Sequence, residues 1–237
     1  MSAGSPVEGR LYQQVADRIR ALIEAGSLRA GDRLPAEREL AQQLGVSRPS
    51  LREALIALEI DGTVEIRMGS GIYVQAAKDA GKDAGKGAGR TAPAGDSPEE
   101  LMQARAALEG AVAALAAARI TPEALHSLRR TLDRMGADIA EGRAPLDSDR
   151  LFHLTLAEAT GNSVLARLVA GLFDTRHSPI AARLRSRFDS PATWALALAE
   201  HEAVLAALEA RDPLRAQAAM HAHLEQSTRR WLEGEPR

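Results

Sequence analysis

No cysteine occurs among the 237 residues. Disulfides, thiolate metal sites and cysteine nucleophiles are therefore excluded, and any bound metal must rely on imidazoles and carboxylates. Aromatic residues make up only 3% of the chain, too thinly spread for the stacking platform that single-stranded nucleic acid requires. No apolar run is long and charge-free enough to span a bilayer, and the opening MSAGSPVEGR has no apolar signal core; both predict a cytoplasmic protein without a membrane partner. Net charge is small as well, at -2, which excludes a basic nonspecific coat for nucleic acid and leaves any such binding to local placement. What the chain does have is length and 45% hydrophobic residues, enough for two modest domains.

Residues 76–97, AAKDAGKDAGKGAGRTAPAGDS, hold no large apolar residue and a degenerate AGKD/AGKG repeat. They are expected to form a linker whose ends lie roughly 25 Å apart on average, with a reach of about 70 Å. The domains predicted on either side are residues 1–75 and 98–237. In the first, apolar residues at 11, 15, 19, 22 and 23 make a helical stripe. A short helix AERELAQQL follows and stops at Gly45; Ser47 offers a capping hydroxyl, and Leu51, Leu55 and Leu58 give the third helix its buried face. Asp61-Gly62 ends that helix. Two β-prone runs, TVEIR and GIYV, then flank Met68-Gly69-Ser70-Gly71. Helix, helix, turn, helix and hairpin is the order of a winged helix-turn-helix.

The second domain is rich in alanine and leucine and is punctuated by Ser97-Pro98, Thr121-Pro122, Ser190-Pro191 and Asp212-Pro213. Each pair sets a capping side chain before a proline at the first helical position. With further helices near 147–160 and 163–187, the expectation is about six helices and no strands. The fold class is mainly α: an N-terminal winged helix-turn-helix joined to an all-helical bundle.

Arg48, Pro49, Ser50 and Arg52 fall in the first turns of the third helix, the part of a recognition helix that meets base edges or phosphates in a major groove. Arginine can bridge guanine O6 and N7, and serine can cap the helix or reach a phosphate. Gly69 and Gly71 let the wing backbone approach a duplex. An arginine pair and two hairpin glycines could also be merely a solvated helix face and a turn, so the motif as a whole has to decide. The elements LPAER, LA..LGVSR, LREAL..LE, DG and G.GIYV, in order between Gly31 and Val74, resemble the GntR family of regulators. That resemblance implies DNA contacts from Arg38, Ser47, Arg48, Pro49, Ser50, Arg52, Gly69 and Gly71, and a homodimer reading a pseudo-palindromic double-stranded operator.

All six histidines lie beyond residue 125. Asp149 and His153 are four apart and share a helical face. His201 and His223 each stand eleven residues from Asp212, so in an antiparallel helical pair their rings face one another, each about 16 Å from the turn. His221 is expected to face solvent, and His126 and His177 are read as ordinary structural histidines. The pattern D..FH at 149–153, Gly161-Asn162, EH at 200–201 and M..HL at 220–224 resembles the FCD-type effector domain of the FadR branch. It implies a divalent metal held by Asp149, His153, His201 and His223, with zinc ahead of nickel, cobalt, manganese or iron. It further implies a small organic acid as effector, with Arg105, Asn162 and Arg176 as candidate contacts. Arg105 could instead simply pair with Glu109 one turn on.

Three functions follow from these residues. The first is an effector-controlled transcriptional repressor. The second is a metal-dependent hydrolase using the Asp/His site, with Glu200 or Glu202 as base. The third is an architectural DNA binder whose helical half only dimerises; it leaves the inward Asp and His residues without a role.

Overall fold

The structure is a computed structural model and describes residues 11–76, 96–175 and 178–233. Most of the expected linker, at 77–95, and Arg176 and His177 lie outside the described residues. The chain divides into two compact units, one containing the residues before Pro98 with Ser178–Arg183, the other Pro98–His177 with Leu184–Arg237.

In the first unit α1 (Leu11–Leu22) buries Tyr12, Val15, Ala16 and Ile19. Helical periodicity centres the apolar face on these four, so Leu11 and Leu22, expected on the stripe, sit at its rim at 51% and 39% exposure. α2 (Glu37–Leu44) ends at Gly45, whose φ of 67° suits glycine and whose N–H returns to the carbonyls of Ala41 and Gln42. α3 (Arg48–Ile60) is capped by Ser47, whose Oγ accepts from the Ser50 amide at 3.1 Å. Leu51, Leu55 and Leu58 are fully buried, each worth about 2 kcal/mol of apolar transfer. β1 (Val64–Arg67) runs antiparallel to β2 (Gly71–Val74), with Val64 opposite Val74 and Arg67 opposite Gly71. The strand before α2 is stitched to this hairpin: Leu34 N–H donates to Ile72 O at 2.8 Å and Val74 N–H to Asp32 O at 2.9 Å.

The second unit holds α4 (Pro98–Ala117), α5 (Pro122–Ala140), α6 (Leu146–Glu158), α7 (Ser163–Asp174), α9 (Pro191–Glu209) and α10 (Pro213–Thr228), while α8 (Pro179–Phe188) is divided between the units after Arg183. Among the described residues from Pro98 onward there are seven helices where about six were expected. The stretch read as one helix over 163–187 is two, and α8 opens on Ser178, whose Oγ accepts from the Ala181 amide at 3.2 Å. Thr121, Ser190 and Asp212 cap α5, α9 and α10, as their Pro-flanked positions predict. The core is built from Phe152 and Leu156 of α6, Val204, Leu205 and Leu208 of α9, and Met220 and Leu224 of α10. α4 packs closely along α10: the exposed ring of His221 lies over buried Gly110, leaving no space for a β-carbon there.

Candidate metal centre and nucleic-acid interface

Four side chains from three helices of the second unit converge. Asp149 and His153 lie one turn apart on α6, His201 on α9 and His223 on α10. His201 Nε2 is 3.2 Å from His153 Nε2 and 3.3 Å from Asp149 Oδ1. The rings of His201 and His223 are 4.2 Å apart between centroids, the facing pair that equal spacing from Asp212 predicts. One ligating atom from each of the four residues lies within 4.8 Å of all the others. The histidines are buried; Asp149 keeps 18% of its side chain exposed.

The second nitrogen of every ring is already engaged. His201 Nδ1 meets the Ala197 carbonyl at 2.7 Å, His223 Nδ1 meets Glu200 Oε2 at 2.9 Å, and His153 Nδ1 meets Glu109. A carbonyl and two carboxylates can only accept, so the protons of neutral rings belong on Nδ1. Three Nε2 lone pairs and the Asp149 carboxylate are then left facing one another. Four electron-rich atoms at such distances repel unless positive charge sits among them, and a backing acceptor behind each ligand imidazole is the arrangement metal sites use. The donor set thus fits a divalent cation.

The backing carboxylates are braced in turn. Glu109 accepts from Arg105 Nε at 2.7 Å, both side chains being 2% exposed, and the Arg105 guanidinium lies 4.1 Å over the Phe173 ring. Glu200 is gripped at both oxygens by Arg230, at 2.5 and 2.9 Å. Burial pushes the Glu109 carboxyl up, but Arg105 and His153 outweigh it and hold it at about 2. Glu200 is likewise raised by burial and brought below the ordinary carboxylate range by His223 and Arg230. Burial, reinforced by His201, drives His223 down to about 3. For His153 burial acts downward too, yet the facing Glu109 raises it above the usual imidazole value.

A cleft enclosing about 520 Å³ of empty space, solvent at its mouth included, leads to this cluster; Asp149, His223, Arg230, Trp194, Trp231 and Met135 help to line it. Neither Arg105 nor Asn162 is on its wall. Arg105 makes the Glu109 pair described above and reaches the centre only through that carboxylate, while one of its terminal nitrogens, buried, has no partner among the described residues. Asn162 caps α7, its Oδ1 accepting from the amides of Val164 and Leu165. Arg176 lies outside the described residues. The sequence reading missed Glu109, Glu200 and Arg230 as supports of the centre. Their partners stand 44, 23 and 30 residues away, and only the one-turn spacing of Arg105 and Glu109 signalled a pairing.

On the first unit Arg38 and Arg48 are exposed, and neither has an ion-pair partner among the described residues. Arg52 is held by Glu37 of α2, its Nη2 2.6 Å and its Nε 3.2 Å from Oε2. Ser50 is 5% exposed, with its hydroxyl 2.8 Å from that of Ser47; it belongs to the cap. Pro49 occupies the first turn of α3, and Gly69 and Gly71 shape the wing with φ of 71° and 126°.

Comparison with known proteins places both units. Residues 11–74 match the bacterial regulatory proteins of the gntR family and residues 100–226 the FCD domain. The chain is 40% identical to the Uxu operon transcriptional regulator of Escherichia coli K12, over 94% of this chain and 88% of that one. It is 36% identical to the Exu regulon transcriptional regulator of the same organism, over 91% and 82%. Among solved structures, E. coli McbR/YncC superposes with a TM-score of 0.50 at 22% identity, covering 93% of this chain and 96% of that one, a likeness of fold alone. These relatives are regulators and not enzymes, which removes the hydrolase reading of the Asp/His cluster. With the winged unit and the helical unit each matched, and with relatives aligned over nearly the whole length, the chain belongs to the GntR family of DNA-binding transcriptional regulators, in its FadR-type form with an FCD domain.

Proposed function

We propose that this protein is a homodimeric, cytoplasmic repressor whose hold on a pseudo-palindromic operator is governed by a small carboxylate bound at a metal centre in the helical unit. The observation that carries this reading is the commitment of all three Nδ1 protons, which leaves three Nε2 atoms and the Asp149 carboxylate aimed at one another beside a cleft. Asp149, His153, His201 and His223 would hold the ion. Zinc suits three imidazoles and a carboxylate best, with nickel, cobalt, manganese and iron as competitors that affinity order alone does not exclude. A divalent ion there supplies positive charge and open coordination positions for a carboxylate oxygen.

The remaining work belongs to the chain. Glu109, Glu200 and the Ala197 carbonyl fix the ring orientations, and Arg105 and Arg230 fix the two carboxylates. Arg230, as the cleft's arginine, is placed to meet an anion, and Trp194 and Trp231 give the effector an apolar wall. On the winged unit, the exposed Arg48 at the start of α3 is the foremost base reader, with Arg52 positioned by Glu37, Arg38 beside them, and Ser47, Pro49 and Ser50 holding the helix start. The named relatives regulate an operon and a regulon, which supports an operon as the target here.

Native mass spectrometry of the purified protein tests the reading first: it predicts two chains and one divalent ion per chain. Titration of the holoprotein on its selected duplex with lactate, pyruvate and sugar acids should then release DNA with at least one of them. A metal-free protein that responds normally to the same acids overturns the proposal.

A further inference from the structure

Arg33 lies outside every motif that the sequence reading assigned to DNA. It lies in the segment that leads into α2, bridged to Tyr73 of β2, and its side chain rests against Gly71 at the start of β2. A β-carbon on Gly71 would fall 2.5 Å from Arg33 Nε and 3.1 Å from Cζ, so the guanidinium is laid against bare backbone. Arg33 is exposed and its side chain has no ion-pair or hydrogen-bond partner among the described residues. Its neighbours differ: Arg52 is bound to Glu37 and Arg67 to Glu65, with Arg67 also stacked 4.5 Å over the Tyr73 ring.

Arg33 helps to line an open cleft with Glu37, Arg67, Gly69, Ser70 and Gly71. Glu37 is the wall shared with the recognition helix, since it holds Arg52 of α3. When the start of α3 enters a major groove, the sugar-phosphate strand bordering that groove must pass close beside it. The cleft between α2 and the wing adjoins that start, and the one carboxylate in it is already neutralised by Arg52. An unpaired guanidinium laid against Gly71 there suits a phosphate oxygen.

We propose that Arg33 is a backbone-phosphate contact of the operator complex, oriented by the missing side chain at Gly71. It adds affinity and register and reads no sequence. The test uses the full-length protein, a duplex selected by it from a random library, and a scrambled duplex of the same composition, followed by fluorescence anisotropy between about 50 and 200 mM salt. Arg33→Ala is expected to weaken both duplexes by the same factor, about threefold to tenfold, and to reduce the slope of log K against log salt by about 0.9 for each Arg33 removed. Arg33→Lys should keep most of that slope, because a phosphate attracts a point charge as well as a fork. Arg48→Ala, by contrast, should erase the difference between the duplexes. The thermal melt of Arg33→Ala should match the parent, which excludes a folding defect. An unchanged salt slope overturns the proposal, and so does a loss confined to the selected duplex, which would make Arg33 a base reader.

Discussion

The imidazoles of the Asp/His cluster are oriented by what stands behind them. Glu200 touches no ligating atom of the cluster, yet it fixes the His223 ring from Nδ1. Glu200→Gln should therefore weaken metal affinity by about 10-fold to 100-fold in a competition titration with a chelating dye, while Asp149→Ala and His201→Ala should abolish stoichiometric binding. Glu109 has a second duty. Removing it strands Arg105, which is 2% exposed, so Glu109→Ala should cost about 3–5 kcal/mol in chemical denaturation of metal-free protein. His223 gives an acid signature. Its imidazole protonates near 6.5 in the unfolded chain but is held down to about 3 in the fold, so between those values the unfolded state takes the proton first. Stability from this residue is present above about pH 6.5 and drains away below it. Metal-free parent should thus lose stability relative to His223→Gln as pH falls from about 6.5 to 4, read by thermal melts; parallel curves would contradict the assignment.

At the level of helices and strands, local chemistry carries most of the design. Ser47→Ala removes the acceptor for the Ser50 amide and should cost about 1 kcal/mol, seen as a lower melting temperature of the winged unit. Such signals are legible in the sequence itself. Gly45, Ser47, Asp61-Gly62 and the wing glycines delimit the elements of the first unit, because each is a backbone conformation or a cap that few other residues supply. At Ser178-Pro179 the apolar pattern of 163–187 continues through the break, and periodicity cannot register a gap whose flanks are both amphipathic. For the site, facing His201 and His223 followed from equal distances to one turn, and Asp149 with His153 from one turn of helix. The supports did not follow. Glu200 flanks His201 on a diverging face, and that divergence carries it across to His223 on the next helix, a pairing that depends on helix packing. α9 is alanine and leucine on nearly every side, so its pattern says little about which face meets which neighbour. Arg52 shows a similar limit: its position on α3 suggested a free arginine, and only the placement of α2 reveals Glu37 beside it.

The molecule as a whole divides its tasks between a unit that meets DNA and a unit that carries the metal-fitting cluster, and on the function proposed above the helical unit is stabilised by the ion. If the ion binds only the folded state, saturation at one hundred times its dissociation constant should add about 2.7 kcal/mol, so chelation should lower the melting transition of the intact protein and leave the winged unit's transition unmoved. The charges around the cluster carry this further. Glu109, Glu200 and Asp149 stand against Arg105 and Arg230, and neutral imidazoles leave the ensemble with one surplus electron charge. On the same proposal, that surplus disfavours an organic anion until a divalent cation inverts the sign, after which a single monoanion restores neutrality. On the function proposed above, the protein is then a conjunction of two inputs: a cell depleted of the ion would be deaf to the acid at any concentration, and the gene would answer to nutrition only where mineral supply permits.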